Sequence, residues 1–414
     1  MPDLTRREFL FKTMLITGGF LLTSCEDEVQ EQDEEPDYES PGMLLGDYSS
    51  KRIIIIGAGL AGLSAGYELA HAGHEVTILE ARNRVGGRVH THRNDFSDGH
   101  FAEAGAARIP PDHNMTLGYA DHFNLPLDPF YPQSGLFVDF TEDTRTLIST
   151  NDFLDGRPWP TSVQHKYYVK IRGGTDLLPF AFAEYLSDKI QLMTPVESII
   201  QNSNEVVVRV SDSTEFTGDR VLCTVPLPVL NRIQFSPQLS PEKLDAASGG
   251  YNYAASTRVF LQFAERFWAS EGLNGWGYTD WPEEIWQPTW DREGSRGIIM
   301  SYLRYNRSDE LDALSAANQL EHVLNRWENV FPGVHDYVEH GSSHSWVQDE
   351  WSGGAWASPT EEQYEALEHH MGEAEGRIHF AGEHASDYHG WMQGAIVSGL
   401  RAAKEIHESD SYFI

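Results

Sequence analysis

The stretch from Lys51 to Arg88, KRIIIIGAGLAGLSAGYELAHAGHEVTILEARNRVGGR, constrains this chain most. Arg52 to Ile56 is a short, β-branched, nearly uncharged run, the pattern of a parallel strand buried on both faces. The turn Gly57-Ala58-Gly59-Leu60-Ala61-Gly62 follows it. Helical periodicity then runs from Leu63 to His71, and Gly73 stops it. A second strand, Glu75 to Leu79, ends at Glu80. Strand, glycine turn, helix, strand and acid in this order point to dinucleotide binding. Gly57 permits a tight turn, Gly59 lets backbone approach a pyrophosphate, and Gly62 lets the helix pack on the strand. The free N–H groups at the helix start, around Leu60 and Ala61, face the phosphates. Glu80 can accept hydrogen bonds from a ribose 2′-OH.

Directly after Glu80 the chain reads Ala81-Arg82-Asn83-Arg84-Val85-Gly86-Gly87-Arg88. A guanidinium beside two glycines can reach a second phosphate, and Gly87 lets backbone close on a cofactor. Here the chain resembles the flavin-containing amine oxidases, whose E-x-R-x-R-x-G-G-R segment matches Glu80 to Arg88 without a gap. The resemblance implies FAD. It spans residue 50 to the end, dense at both ends and thin over 111–170 and 270–295. The implied fold is α/β: a discontinuous Rossmann-like FAD-binding domain with an α+β substrate domain. The expected FAD segments are 50–110, 171–236 and 372–411, and the substrate segments are 111–170 and 237–371.

Further roles follow from the resemblance. Gly105, Ala106, Ala107 and Arg108 stand where the family runs beside the flavin ring. In the L-amino acid oxidase branch an arginine before a proline, here Arg108, binds the substrate carboxylate through a two-pronged fork. Tyr302 matches a tyrosine that meets the same carboxylate. Val196 matches the residue whose backbone meets the adenine, and Gly382-Glu383 the ribose and pyrophosphate contact. Gly390, Trp391, Met392 and Ala395 open a helix facing the N1–C2=O edge, where a helix N-terminus stabilises negative charge. Trp356 and Trp391 match the walls of an aromatic cage. Arg258 takes a catalytic position where the family usually has a lysine holding a water against flavin N5. Arginine is bulkier and stays charged, so this departure leaves the water bridge open. Ala355 replaces the cysteine that is joined to the flavin in monoamine oxidases, so dissociable, non-covalent FAD is expected.

The chain carries 63 acidic against 30 basic residues, a formal net charge of -33, which argues against a nucleic-acid partner. Its 18 histidines show no metal-ligand spacing, so no metal is expected. Two cysteines cannot build a disulfide framework. Cys223 lies in an apolar run and reads as a core thiol. Cys25 ends a leader, residues 1–25, with Thr5-Arg6-Arg7-Glu8-Phe9-Leu10 and an apolar stretch too short to span a bilayer. The leader resembles a twin-arginine export signal ending in a lipobox, with Cys25 as the lipidated residue. Residues 26–49, acidic and without a base, read as an extended tether. The expected product is exported, periplasmic or on the cell surface, and lipid-anchored to a bacterial membrane. A homodimer is left open.

The implied reaction is oxidative deamination of an L-α-amino acid to a 2-oxo acid, ammonia and hydrogen peroxide, with dioxygen as acceptor. Amine or polyamine oxidase, isomerase and tryptophan 2-monooxygenase-like outcomes remain alternatives within the superfamily.

Overall fold

The isoleucines of the first strand, Arg52–Ile56, explain the layering. Side chains alternate across a strand. Ile53 and Ile55 enter a core shared with the helices Leu60–His71 and Met392–Glu408. Ile54 and Ile56 enter another, shared with Ile199, Val206 and Val208 of a second sheet. A strand covered on both faces needs an apolar residue at every position. The first strand pairs in parallel with Glu75–Leu79 and with Arg220–Cys223. Ile190–Gln191 and Ile378–Phe380 complete five parallel strands. The second sheet combines Val196–Gln201, Val206–Val210, Glu215–Gly218 and Gln234–Ser236.

The computed structural model describes residues 44–46, 48–156 and 165–409. The leader, Cys25 and nearly all of the acidic run lie outside the described residues.

Local details differ from the sequence expectation for identifiable reasons. The first helix begins at Leu60, three residues early, because Gly62 is helical rather than part of the turn. A Cβ on Gly62 would lie 2.0 Å from the Gly57 carbonyl oxygen, so only glycine lets the helix start this close to the strand. The helix Leu177–Tyr185 has Asp176 at its N-cap, but that carboxylate binds the Arg93 guanidinium instead of the helix backbone. The helix Asn114–His122 lies in the segment assigned to the substrate domain, yet Met115, Leu117 and Tyr119 pack into the core under the first strand. The Tyr119 hydroxyl ties it there by donating to Glu68 at 2.7 Å.

A seven-stranded sheet makes the other half. Its order is Val338–Ser345, Ser256–Phe263, Gly297–Arg304, Glu284–Trp286, Leu273–Thr279, Leu136–Thr141 and Thr144–Ser149. One face packs Val259, Leu261, Ile299 and Leu303 against the helix Ala316–Trp327. The opposite face carries Phe260, Met300, Trp286 and Tyr302. Antiparallel register sets Arg258 opposite Tyr302, and Tyr302 opposite Glu284. Cross-strand partners share a face with Cβ atoms about 5 Å apart. Three residues far apart in the chain thus form one row.

Candidate active site

Two helix starts converge on one cavity. Gly59 caps the helix Leu60–His71 and Trp391 caps Met392–Glu408; both are extended, and neither makes a side-chain cap. Leu60, Ala61, Met392 and Ala395 all line the cavity. Uncapped N-termini present free N–H groups and a positive dipole end, which suits phosphates at one start and a reducible ring edge at the other. A Cβ on Gly59 would meet no protein atom within 4 Å, and one on Gly87 would meet only the Gly59 Cα. The two glycines leave bare backbone facing open space, as a pyrophosphate requires.

Gly57, Glu80, Ala81, Arg82, Arg88 and Val196 line the same cavity, as do Gly105, Ala106, Gly382, Glu383 and Gly390. Glu80 is anchored: its oxygens accept from the Ala58 and Arg82 backbone N–H groups, each at 2.8 Å. Arg88 pairs with Glu383 at 2.8 Å and donates to the Ala355 carbonyl at 3.0 Å. Arg82 is held by Asp349 and by the Ser352 hydroxyl at 2.9 Å. Both guanidiniums therefore serve as pinned walls, tied to protein groups. Glu383 also accepts from the Gly390 N–H at 2.8 Å. Burial pushes the Glu383 carboxyl up, but Arg88, His384 and Gly390 outweigh it and hold it below the usual carboxylate range.

Trp356, Trp391, Tyr302, Arg258 and Ala355 form the other end of the lining. Gly390, at φ +77°, lets the Trp356 ring approach; a Cβ there would sit 3.2 Å from it. Arg258 is 5% exposed. Its Nη1 donates to the carbonyls of Glu103, at 2.8 Å, and of Gly105. Burial pulls its pKa below the ordinary arginine value. The Glu103 carboxyl, half-buried, is pushed up to about 7 by desolvation.

Three of the expected site residues do not line this cavity. Gly62 lies inside the helix and Ala107 lines a neighbouring cavity with Phe101, Phe130 and Trp290. Arg108 does not line the flavin cavity. Its Nη1 lies 3.3 Å from Oε2 of Glu284, an acid 2% exposed. Arg304 reaches the other Glu284 oxygen at 3.2 Å, and the Trp286 indole N–H donates at 2.7 Å. A buried carboxylate must be compensated, and these cations do so. Burial disfavours the charge on Arg108, yet Glu284 and neighbouring tyrosines keep its pKa above the ordinary arginine value. Arg108 and Arg304 likewise hold Glu284 below the usual carboxylate range in spite of burial. Arg108 therefore already has an internal acid.

Sequence reasoning missed other lining residues. Trp346 donates its indole N–H to the Ala104 carbonyl at 2.8 Å. Arg232 stacks 5.5 Å from the Trp351 ring. Trp351 and Ser352 stand just before Ala355 and Trp356, whose family match could have drawn attention to them; nothing local marked Arg232 or Trp346.

A parallel sheet feeding a glycine turn into a two-helix cradle, capped by an aromatic-lined chamber, defines a dinucleotide-dependent flavoprotein oxidoreductase. The profile of the flavin containing amine oxidoreductases matches residues 60–164 and 158–407, and the chain belongs to that family, with FAD as its cofactor. A profile of pyridine nucleotide-disulphide oxidoreductases matches residues 14–105. YobN of Bacillus subtilis (strain 168), named provisionally as an L-amino-acid oxidase, is 28% identical over 88% of this chain and 96% of its own. The L-amino-acid oxidase of Pseudechis australis is 26% identical, covering 96% of each chain. Among solved structures, cyclohexylamine oxidase from Brevibacterium oxydans IH-35A superposes with a TM-score of 0.76 at 16% identity, over 87% of this chain and 99% of that one. Putrescine oxidase bound to putrescine gives 0.73 at 20% identity, over 87% and 99%. At these identities the two structures speak for the fold alone.

Proposed function

We propose that this protein oxidatively deaminates L-α-amino acids to 2-oxo acids, with release of ammonia and hydrogen peroxide. FAD, held by the glycine turn at Gly57 and Gly59, by Glu80 and by Gly382-Glu383, would supply the redox chemistry of hydride acceptance and reoxidation by dioxygen. The protein's part is to bind, orient and keep water out.

One observation carries the reading. Arg108 pairs with the buried carboxylate of Glu284, and Arg304 with both Glu283 and Glu284, while Arg258 in the same row has no ion-paired acid among the described residues. The positive charge left in this row without a paired acid is therefore that of Arg258. A substrate that adds only an ammonium group makes this worse; one that brings a carboxylate relieves it. The names of the full-length relatives support the same reading. Trp356 and Trp391 would flank the amine and keep the site dry.

A second reading, an amine oxidase, draws on the occupied state of Arg108, because a permanently paired guanidinium is a poor clamp. Anaerobic mixing of the FAD-loaded protein with a panel of L-amino acids and simple amines separates the two. Bleaching of the flavin by amino acids, with ammonia and 2-oxo acid formed after air is admitted, is the expected result. Bleaching by amines alone would replace it with the second reading.

Export and lipid anchoring at Cys25 belong to the proposal as well. A Cys25→Ala protein that still partitions with membranes would refute the anchor.

A further inference from the structure

Two arginines compete for the part of carboxylate holder, and their surroundings differ. Arg108 does not line the flavin cavity; its guanidinium sits behind the wall, 5.9 Å from the Trp391 ring, with Glu284 as its counter-ion. Arg258 lies in the cavity wall, and no carboxylate comes within ion-pair distance of it among the described residues. Its partners are neutral. Nη1 is tied to the Glu103 and Gly105 carbonyls, and Nε has no hydrogen-bond partner. The guanidinium carbon sits 4.5 Å from the Tyr302 ring and 5.1 Å from the Trp286 ring. Rings and carbonyls orient a cation but leave its charge uncancelled. The side chain is pinned at one nitrogen, so little entropy is lost when another meets a ligand. A buried guanidinium without a counter-ion is costly and calls for an anion.

We infer that Arg258, beside Tyr302, is the anion subsite of the cavity and holds the substrate carboxylate, while Arg108 balances Glu284 and does not touch the substrate. This rests on the amino acid oxidase reading for the identity of the anion, but the subsite itself can be probed without turnover. It also gives the arginine in this row a role that a lysine, with no planar fork, would perform less well.

The test uses the FAD-loaded protein and benzoate, a carboxylate that cannot be oxidised at an α-carbon. Binding is read from the shift it causes in the flavin absorption spectrum, and flavin content reports folding. Arg258→Met is expected to weaken benzoate binding by about 30-fold or more, the worth of a charge-assisted hydrogen bond pair. Arg258→Lys keeps the charge and should recover part of that loss. With an L-amino acid as substrate, Arg258→Met should raise KM more than it lowers kcat. The double variant Arg108→Gln/Glu284→Gln removes the internal pair, Arg304 keeps Glu283 at 2.6 Å, and benzoate should bind within about threefold of the unaltered protein. Benzoate bound equally well by Arg258→Met, or lost in the double variant alone, would overturn the inference, as would no benzoate binding at all. Should Arg258 variants hold no flavin, calorimetric titration of benzoate into the double variant decides: retained affinity supports Arg258, lost affinity restores Arg108. An unaltered protein that binds benzoate through Arg258 but is reduced only by amines keeps the subsite and discards the reaction.

Discussion

Glu284 is the residue on which the chamber's charge balance turns. It is buried, it accepts the Trp286 indole N–H, and it faces Arg108 and Arg304. Removing one member of a buried pair leaves the other desolvated and unpaired, which costs about 3 kcal/mol or more. Glu284→Ala is therefore expected to lower unfolding stability by that amount in denaturant titration, and a loss under about 1 kcal/mol would contradict the burial of the pair. Arg108 and Glu284 are 176 residues apart. Glu284 also lies where resemblance to the family was thin. Nothing local in FAEAGAARIP announces that its arginine has a partner; the resemblance alone assigned Arg108 to the substrate.

At the scale of elements, Gly59 and Gly62 stand three residues apart and do different jobs. Gly59 faces the cavity with room for a methyl group; Gly62 is pressed on the Gly57 carbonyl. Gly59→Ala should leave the thermal midpoint of the flavin-free protein nearly unchanged, a cost of about 1 kcal/mol at most at a cap position. It should nevertheless cut FAD retention sharply on desalting, because the methyl group fills the cradle. Gly62→Ala should lower both, since helix and strand must part, with a stability loss of about 1–3 kcal/mol. Equal midpoints for the two variants would refute this division. The glycine turn, its strands and the late Gly382-Glu383 strand end were legible because each is written in contiguous residues whose chemistry is local. The row Arg258–Tyr302–Glu284 was not, because strand register joins segments that no single window contains. The packing of Asn114–His122 under the first strand was missed for the same reason: its apolar face does not say which core it enters.

For the whole molecule, buried and half-buried histidines set the acid limit. Burial lowers His90 to about 3 and His113, His344 and His384 to about 4, from an ordinary value of 6.5. Each is neutral when folded and gains its proton more readily when unfolded. Their contribution is thus complete above about pH 6.5 and lost progressively toward about pH 4. Glu284 and Glu383, held below the usual range, add a loss that begins lower, as pH falls through the ordinary carboxylate value. Thermal midpoints should fall steadily from pH 7 to pH 5, and His344→Gln should flatten that slope. A midpoint that rises on acidification would mean that relief of the net charge of -33 outweighs these groups.

The unpaired charge of Arg258 awaits an acid group, and a matched pair of substrates tests this most directly. The L-amino acid that reduces the flavin fastest should be compared with its own decarboxylated amine, by anaerobic rapid mixing at neutral pH. The two differ only in the carboxylate. The amino acid is expected to win in kcat/KM by about 100-fold or more, as for a site whose buried polar groups go unpaired with the wrong ligand. Equal rates, or a preference for the amine, would contradict it.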